Sequence, residues 1–464
     1  MSMIQGKSIV RPKRQEANYV KTTRQIVEAI IPIIPDGKEF DWFAHDPEAK
    51  ASLCVSDGKY CGEKSEVSAQ LGGTICEKKT TNYRTVSTDG KTGGIYVDGP
   101  GTYEVDGAAI SLSGDATGIG GPASGAATNH GGELTLRNAV IDVSGLTHYA
   151  TAAENNSILR VYDSVLSSHG APFLHGEPQP MKPMQTPPPP LMIAGNSRTH
   201  CSMTNSQTYF YNTIISADGW GAISTEAAEG YVYVEANDCK ITTVARGYAA
   251  YVDPGCYVNM NRCMIDTADM AGIVGGEGEM NFDDCDVYCG HNFLLIHGVF
   301  GCPEEVSYVT VSDSMVRSVD DAMLIKSRNV VVNCIDSDIK AENGVIIHSI
   351  LNDDFLATKV GKDPFGVEIN FIDMNAEGDI IHEDSERDMW LYLSSSNVRG
   401  KINGAYVSMD KGSKWFATAD SEITLMDEVL LGQIDAPVGV TITIHGEGEM
   451  KVSLPSGGTL VVTE

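Results

Sequence analysis

A repeat of about 24 residues constrains the fold of this chain more than any other feature. From about Gly94 onward, a polar turn leads again and again into a short apolar strand, and the central residue of each turn is usually small. Aligning these residues gives the column Ala139, Ser164, Thr213, Cys239, Cys263, Cys285, Ser314, Ser337, Met374, Ser396 and Ser421. Most steps along the column are 22 to 29 residues. The step of 49 after Ser164 corresponds to two rungs of a coil, or to one rung with an insertion.

This period predicts an all-β fold, a right-handed single-stranded parallel β-helix of about ten or more rungs. Each rung would hold three short strands, and parallel pairing would place successive rungs about 4.8 Å apart. The right-handed sense follows from the crossover preference of parallel strands. Small hydroxyls and thiols in one column would fill the narrow interior, so we interpret Cys239, Cys263 and Cys285 as core residues and predict no metal site.

The first 93 residues differ from the rest and are predicted to cap the solenoid. Thr22 and Thr23 can cap a short amphipathic helix over residues 24–31, which Pro32 would end. Such a helix would cover the free strand edges at the end of a solenoid extending over residues 94–464. A proline-rich excursion at about 171–201 leaves the coil. We expect it to form a lid, and a subunit-packing arm or an inert loop is the alternative.

Charge and cysteine content limit the partners and the compartment. A net charge of −29 disfavours nucleic acid and anionic membrane surfaces, and no run of 18 apolar residues occurs. Eleven cysteines without compact spacing, and no recognisable signal peptide, favour the cytoplasm, or secretion if a signal peptide has been removed. We expect a small-molecule or carbohydrate substrate and no cofactor, and a homo-oligomer stays open.

The repeat also predicts which side chains share an outer face. An apolar strand follows each turn by about twelve residues, and alternation along it places Leu294 and Ile296 inside and His297 outside. The same position in other rungs gives an outward column of His175, Thr225, Tyr251, Gly275, His297, Lys326, His348, His382 and Ser408. On neighbouring rungs these residues would lie about 5 Å apart.

Imidazole, ammonium and phenol groups on one face suit the removal of a proton next to a carbonyl or carboxylate. We expect His297 or His348 to be the base, Tyr251 the acid and Lys326 the cation for the developing anion, although exchanged roles are equally allowed. The reaction would be an elimination, an epimerisation or an isomerisation. The predicted substrate-binding residues are His175, Thr225, Gly275, Asp321, His382, Arg198 and His200.

The rung pattern over residues 94–450 resembles the pectin-lyase-like right-handed β-helix superfamily, which includes pectate lyases, polygalacturonases and uronan epimerases. The resemblance implies a substrate groove on one outward sheet. Residues 320–327 also resemble the paired-aspartate strand of polygalacturonases, which implies hydrolysis by Asp320 and Asp321 as an alternative. The accompanying Asn-Thr-Asp, Gly-His-Gly and Arg-Ile-Lys motifs are absent, and adjacent aspartates of an extended strand would face opposite ways. A non-catalytic binding or assembly β-helix is the remaining alternative.

Overall fold

The computed structural model describes residues 3–11, 45–116, 118–170, 173–174, 193–194, 197–226, 230–298, 305–353 and 361–464. The chain divides into two compact units. We call residues 21–273 the 21–273 unit, and residues 1–20 together with 274–464 the 274–464 unit. Helical structure in the described residues is limited to three-residue 3-10 turns, at Val67–Ala69, Gly121–Ala123 and Leu431–Gln433.

In the 21–273 unit the strands recur in sets of three, and each set is one rung. The first strands are Lys50–Ser56, Thr92–Asp98, Ala126–Asn129, Tyr149–Ala153, Arg198–Met203, Gly221–Glu226, Tyr248–Val252 and, at the end of the unit, Met270–Val274. The second strands are Lys79–Ser87, Gly101–Asp106, Gly132–Arg137, Ile158–Tyr162, Gln207–Tyr211, Val232–Asn237 and Cys256–Asn261. The third strands are Ala109–Leu112, Val140–Ser144, Val165–His169, Ile214–Asp218, Lys240–Thr243 and Met264–Thr267. Short additions lie at Lys59–Tyr60, Gln70–Ile75, Phe173–Leu174 and Ile193–Ala194.

The 274–464 unit repeats the same pattern. Its first strands are Leu294–His297, Met323–Lys326, Val345–Ile350 and Asp379–His382. Its second strands are Gly278–Asp283, Ser307–Ser312, Val330–Ile335, Asp363–Ile372 and Arg387–Ser394. Its third strands are Asp286–Cys289, Met315–Ser318, Asp338–Ala341, Asn375–Glu377, Asn397–Arg399, Lys414–Phe416 and Ile434–Asp435. The remaining strands are Met3–Ile4, Ile402–Met409, Ser421–Leu425, Val429–Leu430, Thr441–His445, Met450–Ser453 and Thr459–Thr463.

Equivalent strands of successive rungs pair in parallel, which is the arrangement of a parallel β-helix and confirms the predicted class. Val165 lies directly opposite Ile214, so the 49-residue step is one rung with an insertion. Parallel pairing already includes Lys50–Ser56, which lies within the predicted cap. The predicted helix at 24–31, and all but the ends of the excursion, lie outside the described residues. No helix in the described part of the chain is long and apolar enough to cross a membrane.

One backbone conformation repeats at the turn between the second and third strands. The residue before each column position has a φ of 41° to 55°, a left-handed conformation that asparagine and aspartate tolerate better than most residues. In the 21–273 unit these residues are Asn138, Asp163, Asn212, Asp238 and Arg262, and in the 274–464 unit they are Asp284, Asp313, Asp336, Asp373 and Ser395. The polar turns identified in the sequence are therefore the points at which the chain changes direction.

The column of small residues is held by hydrogen bonds between rungs. The backbone N–H of Ala139 donates to Ser164 Oγ at 3.0 Å, and that of Ser314 donates to Ser337 Oγ at 3.1 Å. At the end of the column, the N–H of Ser396 donates to Ser413 Oγ at 3.0 Å. Ser413, and not the predicted Ser421, is therefore the next member, because this last rung is shorter than the others.

The cysteines of the column are core residues, as predicted. Cys239, Cys263 and Cys285 are buried, and each of them is free of disulfide bonds. Their thiols donate weakly to backbone carbonyls close by, as Cys239 does to Asn237 at 3.2 Å. They fill the space beneath the turn that serine and threonine fill in other rungs.

The N-terminal residues pack on the last strands of the 274–464 unit. Met3 and Ile4 pair antiparallel with Leu430 and Val429, and the side chain of Ile4 is 0% exposed. The guanidinium of Arg11 lies 3.8 Å from the centre of the Phe365 ring, donates to the Phe365 carbonyl at 2.7 Å and forms an ion pair with Glu368. The start of the chain is thus part of the C-terminal structure.

Four aspartates stack at the turn of the 274–464 unit, and we expect them to repel one another. Asp284, Asp313, Asp336 and Asp373 follow residues that are in register, so their exposed carboxylates lie on successive rungs about 5 Å apart. The substitution Asp313→Asn keeps a residue suited to the left-handed turn and removes one charge. We expect it to raise the free energy of unfolding by about 0.5 kcal/mol at low salt, measured from denaturant midpoints, with a smaller gain at high salt.

The matched control is Asp238→Asn in the 21–273 unit. Asp238 occupies the same turn position but accepts two hydrogen bonds from Arg262, at 2.8 and 2.9 Å. The control should therefore lose stability. A loss of stability in Asp313→Asn as well, or a gain that does not depend on salt, would contradict the repulsion.

Candidate functional site

On the first sheet of the 274–464 unit, His297 lies directly opposite Lys326, as predicted. The predicted column is wrong beyond Lys326, however, because His348 lies opposite Leu324, and Lys326 lies opposite Ile350. His382 lies opposite Ser349 and so belongs to the other face of the strand from His348. The reason is strand length, since Val345–Ile350 continues two residues past His348, whereas the preceding strand ends at Lys326.

His297 points outward from the sheet but is only 1% exposed. Both of its ring nitrogens are shielded from solvent and have no hydrogen-bond partner among the described residues. Burial lowers the pKa of His297 to about 3, and the nearby charges of Lys326 and Arg328 add to the effect. The imidazole is therefore neutral at physiological pH and able to accept a proton.

Two cations lie beside this imidazole, and both are 1% exposed. Lys326 Nζ donates to Asp353 Oδ1 at 2.5 Å, and the carboxylate of Asp353 is itself exposed. Arg328 Nε donates to Ser307 Oγ at 3.0 Å. The sequence reasoning missed Arg328, although two cationic residues within three positions at the end of an apolar strand were a signal that could have identified it.

His348 forms a separate pair with Asp321. Its Nδ1 lies 2.6 Å from Asp321 Oδ2, and Asn343 Nδ2 donates to the other oxygen of Asp321 at 2.6 Å. The hydrogen bond to Asp321 raises the pKa of His348, and Glu383, 3.6 Å from Nε2, raises it further. Burial acts to raise the pKa of Asp321, but the hydrogen bonds from His348 and Asn343 outweigh burial and lower it.

Asp320 and Asp321 are directed to different rungs. His291 Nδ1 lies 2.7 Å from Asp320 Oδ2, on the preceding rung, whereas Asp321 contacts His348 on the following rung. Both aspartates precede the strand Met323–Lys326, so the alternation expected of an extended strand does not apply to them. Each carboxylate therefore forms a pair with its own histidine.

The two other predicted residues of this unit are His382 and Gly275. His382 Nε2 lies 3.0 Å from the Arg387 carbonyl, and burial lowers the pKa of His382. Gly275 is buried directly after the strand Met270–Val274.

In the 21–273 unit, Tyr251 lies opposite Ser224, and its ring centre is 5.6 Å from that of Tyr248. Thr225 lies opposite Ser202 and is buried. The predicted pairing of Thr225 with Tyr251 is therefore wrong, because successive residues of a strand face opposite sides. Every residue of the strand Gly221–Glu226 except the last is buried. The sequence therefore shows no alternation of apolar and polar residues from which the outward face could be identified. His175 lies outside the described residues.

His200 is enclosed in the interior of the coil. Its Nε2 lies 2.8 Å from Ser202 Oγ, its Nδ1 lies 3.0 Å from Thr151 Oγ1, and its ring packs edge-on against Phe210 at 5.0 Å. Burial lowers the pKa of His200 to about 3. Both ring nitrogens are thus used within the core, which is the environment of a structural side chain.

We expect His200→Ala to affect stability and not ligand binding. The change leaves a cavity beside Phe210 and removes the partner of two buried hydroxyls, so the free energy of unfolding should fall by about 2 to 4 kcal/mol, measured by denaturant titration. The control His445→Ala, at a partly exposed histidine paired with Glu422, should change stability by less than about 1 kcal/mol. A stable His200→Ala protein that fails to bind its ligand would restore the predicted role of His200 as a substrate contact.

Arg198, the remaining predicted residue, is buried in the first sheet. It forms an ion pair with Glu226, and its Nη1 donates to Tyr149 Oη at 2.8 Å. Asp253 is close enough for its charge to interact with both Arg198 and Glu226. Burial raises the pKa of Asp253 well above its usual value, and the negative charge of Glu226 adds to the rise.

The two units thus present different chemistry. The His297 face combines a neutral base with two buried cations, and the Arg198 region combines one cation with two carboxyl groups. No group of three or more histidine, cysteine, aspartate and glutamate side chains in the described residues is arranged to hold a metal ion. No protein-family model and no curated protein sequence matches this chain.

Proposed function

We propose that this protein is an acid–base enzyme that removes a proton next to the carboxylate of a sugar acid. The observation that carries the proposal is His297, a buried neutral imidazole whose two nitrogens have no hydrogen-bond partner among the described residues, directly opposite the buried cation Lys326. Unpaired buried polar atoms cost about 1 to 3 kcal/mol each, so a ligand that pairs with them is a physical reason for their presence.

In the proposed reaction, His297 accepts the proton from the carbon next to the carboxylate. The electron pair of that C–H bond moves into the enolate, and Lys326 and Arg328 stabilise the negative charge as it develops. A leaving group on the next carbon can then depart, which is an elimination. Alternatively, a proton returns to the carbanion, which is an epimerisation or an isomerisation.

His348 is the proposed proton donor of this unit. It lies on the second strand beyond His297, about 10 Å along the stack, which places base and acid on the two sides of Lys326. Because the pair with Asp321 raises the pKa of His348, its imidazolium persists to higher pH than that of an ordinary histidine. Turnover should fall as the pH rises through this raised pKa. Tyr251, in the 21–273 unit, stays a predicted acid.

The rung pattern supports a carbohydrate substrate of the kind used by the pectin-lyase-like superfamily, to which we propose the chain is related. None of the ten cysteines in the described residues forms a disulfide bond, which supports a reducing compartment such as the cytoplasm. Nucleic acid and membrane surfaces are disfavoured as partners by the charge of −29.

The test is to incubate the full chain with polygalacturonate or alginate in deuterated water. An elimination yields unsaturated products that absorb in the near ultraviolet, and an epimerisation or isomerisation yields product that contains solvent deuterium. We expect His297→Gln to lower turnover by about 10²- to 10⁴-fold and His445→Gln to leave it unchanged. Reducing ends without unsaturation would indicate a hydrolase. Binding without any product would indicate a non-catalytic β-helix.

A further inference from the structure

A second polar site lies in the 21–273 unit, around Arg198. Arg198 occupies the same register position as Tyr149 on one neighbouring strand and Gly221 on the other, and Gly221 in turn lies opposite Tyr248. A Cβ at Gly221 would come within 2.5 Å of the Tyr248 ring, so this ring covers the strand backbone at Gly221. Two tyrosine rings and a guanidinium are thereby brought to one end of the first sheet.

The charges of this site compensate one another. The guanidinium of Arg198 is paired with the carboxylate of Glu226, and both groups are largely buried. Asp253 adds a second carboxyl group, and burial raises its pKa well above the usual value. The guanidinium of the site is therefore accompanied by two carboxyl groups, whereas the His297 face holds two cations and the carboxylate of Asp353.

Three polar atoms at this site are shielded from solvent and have no hydrogen-bond partner among the described residues. They are Arg198 Nε, Asp253 Oδ1 and Trp220 Nε1. Arg198 and Trp220 are more than nine-tenths buried, and the Trp220 ring packs edge-on against Tyr248 at 5.6 Å. A purely structural ion pair gains stability when its surrounding donors and acceptors are satisfied, so these atoms indicate a missing partner.

We propose that the Arg198 site binds the ring of an uncharged sugar. The two N–H groups would donate to ring hydroxyls, and the carboxyl group of Asp253 would bind a third hydroxyl. The rings of Tyr248 and Tyr251 would contact the apolar side of the sugar. An anionic sugar is disfavoured, because the guanidinium of Arg198 is already paired with the carboxylate of Glu226. The proposal is independent of the reaction proposed for His297.

The experiment is saturation-transfer NMR of the full chain with methyl glucoside, methyl galactoside and methyl xyloside, and with glucuronate and galacturonate as the anionic counterparts. We expect at least one uncharged glycoside to bind. Asp253→Asn, which replaces the carboxyl group by an amide, should weaken its binding by about tenfold or more. Trp220→Phe removes one N–H group and keeps most of the ring, and it should weaken binding by a smaller factor.

The matched control is Asp388→Asn in the 274–464 unit, where burial also raises the pKa of a carboxyl group. This control should bind the glycoside as the unmodified chain does. Circular dichroism and melting curves establish that each variant is folded. The proposal is overturned if none of the uncharged glycosides binds, if the uronates bind in their place, or if folded Asp253→Asn and Trp220→Phe proteins both bind with unchanged affinity.

Discussion

Replacement of Lys326 by methionine is expected to lower turnover of a uronate substrate by about 10²- to 10³-fold. Methionine fills much of the same buried space but removes the cation that lies opposite His297. The loss should appear in kcat more than in KM if the charge acts mainly on the developing enolate. Steady-state kinetics on the polymer that the unmodified chain converts would measure both constants.

The same variant has a second readout that needs no substrate. The charge of Lys326 contributes to the low pKa of His297, so its removal should raise that pKa from about 3, although burial keeps it below the ordinary value of 6.5. An NMR titration of the His297 ring protons would measure the change. The control Lys340→Met removes an exposed lysine paired with Asp338 in the same unit and should alter neither turnover nor this pKa. Full turnover in Lys326→Met would refute its role as the cation.

The substitution Ile4→Asp is expected to detach the N-terminal segment and to lower the free energy of unfolding of the 274–464 unit by about 2 to 4 kcal/mol. Ile4 is fully buried on the strand Val429–Leu430, so a carboxylate there would lose its hydration. Detachment would also break the contact of Arg11 with Phe365 and expose the Phe365 ring to solvent.

Hydrogen exchange of residues 421–430 would measure this effect locally, and a denaturant titration would measure it globally. Val10→Asp is the control, because Val10 belongs to the same segment and is 79% exposed. It should leave both measurements unchanged. Equal exchange rates in the two variants would mean that the segment adds nothing to the stability of these strands.

The turns of this fold could be predicted from the sequence because the turn position combines two requirements. Asn138 and Asp163 adopt a left-handed backbone that few residues tolerate, and the next position must be small enough for the narrow interior. Both requirements restrict residue type and leave a visible pattern. The Met374 position was also identified correctly, since the N–H of Ser337 donates to its sulfur at 3.3 Å.

The site was predicted less well, because residue type does not determine register across a stack. His297 and Lys326 end strands of equal length and were aligned correctly, whereas the next strand extends past His348. Arg328 follows a left-handed residue, Ser327, after the strand has ended, where alternation no longer applies. His200 was indistinguishable from a surface histidine because its polar partners, Thr151 and Ser202, come from strands that are buried throughout.

The insertion after Ser164 gives the chain a position at which new sequence can be accommodated. Gly170 and Ser197 lie side by side, with Ser197 Oγ only 1.9 Å from where a Cβ on Gly170 would be, so the two residues that flank the insertion are adjacent in space. The pairing of Val165 with Ile214 is intact although these residues are 49 positions apart. Doubling the length of a loop costs only about 0.6 kcal/mol in closure entropy. We therefore expect that a reporter domain can be inserted at this position without a change to the flanking rungs.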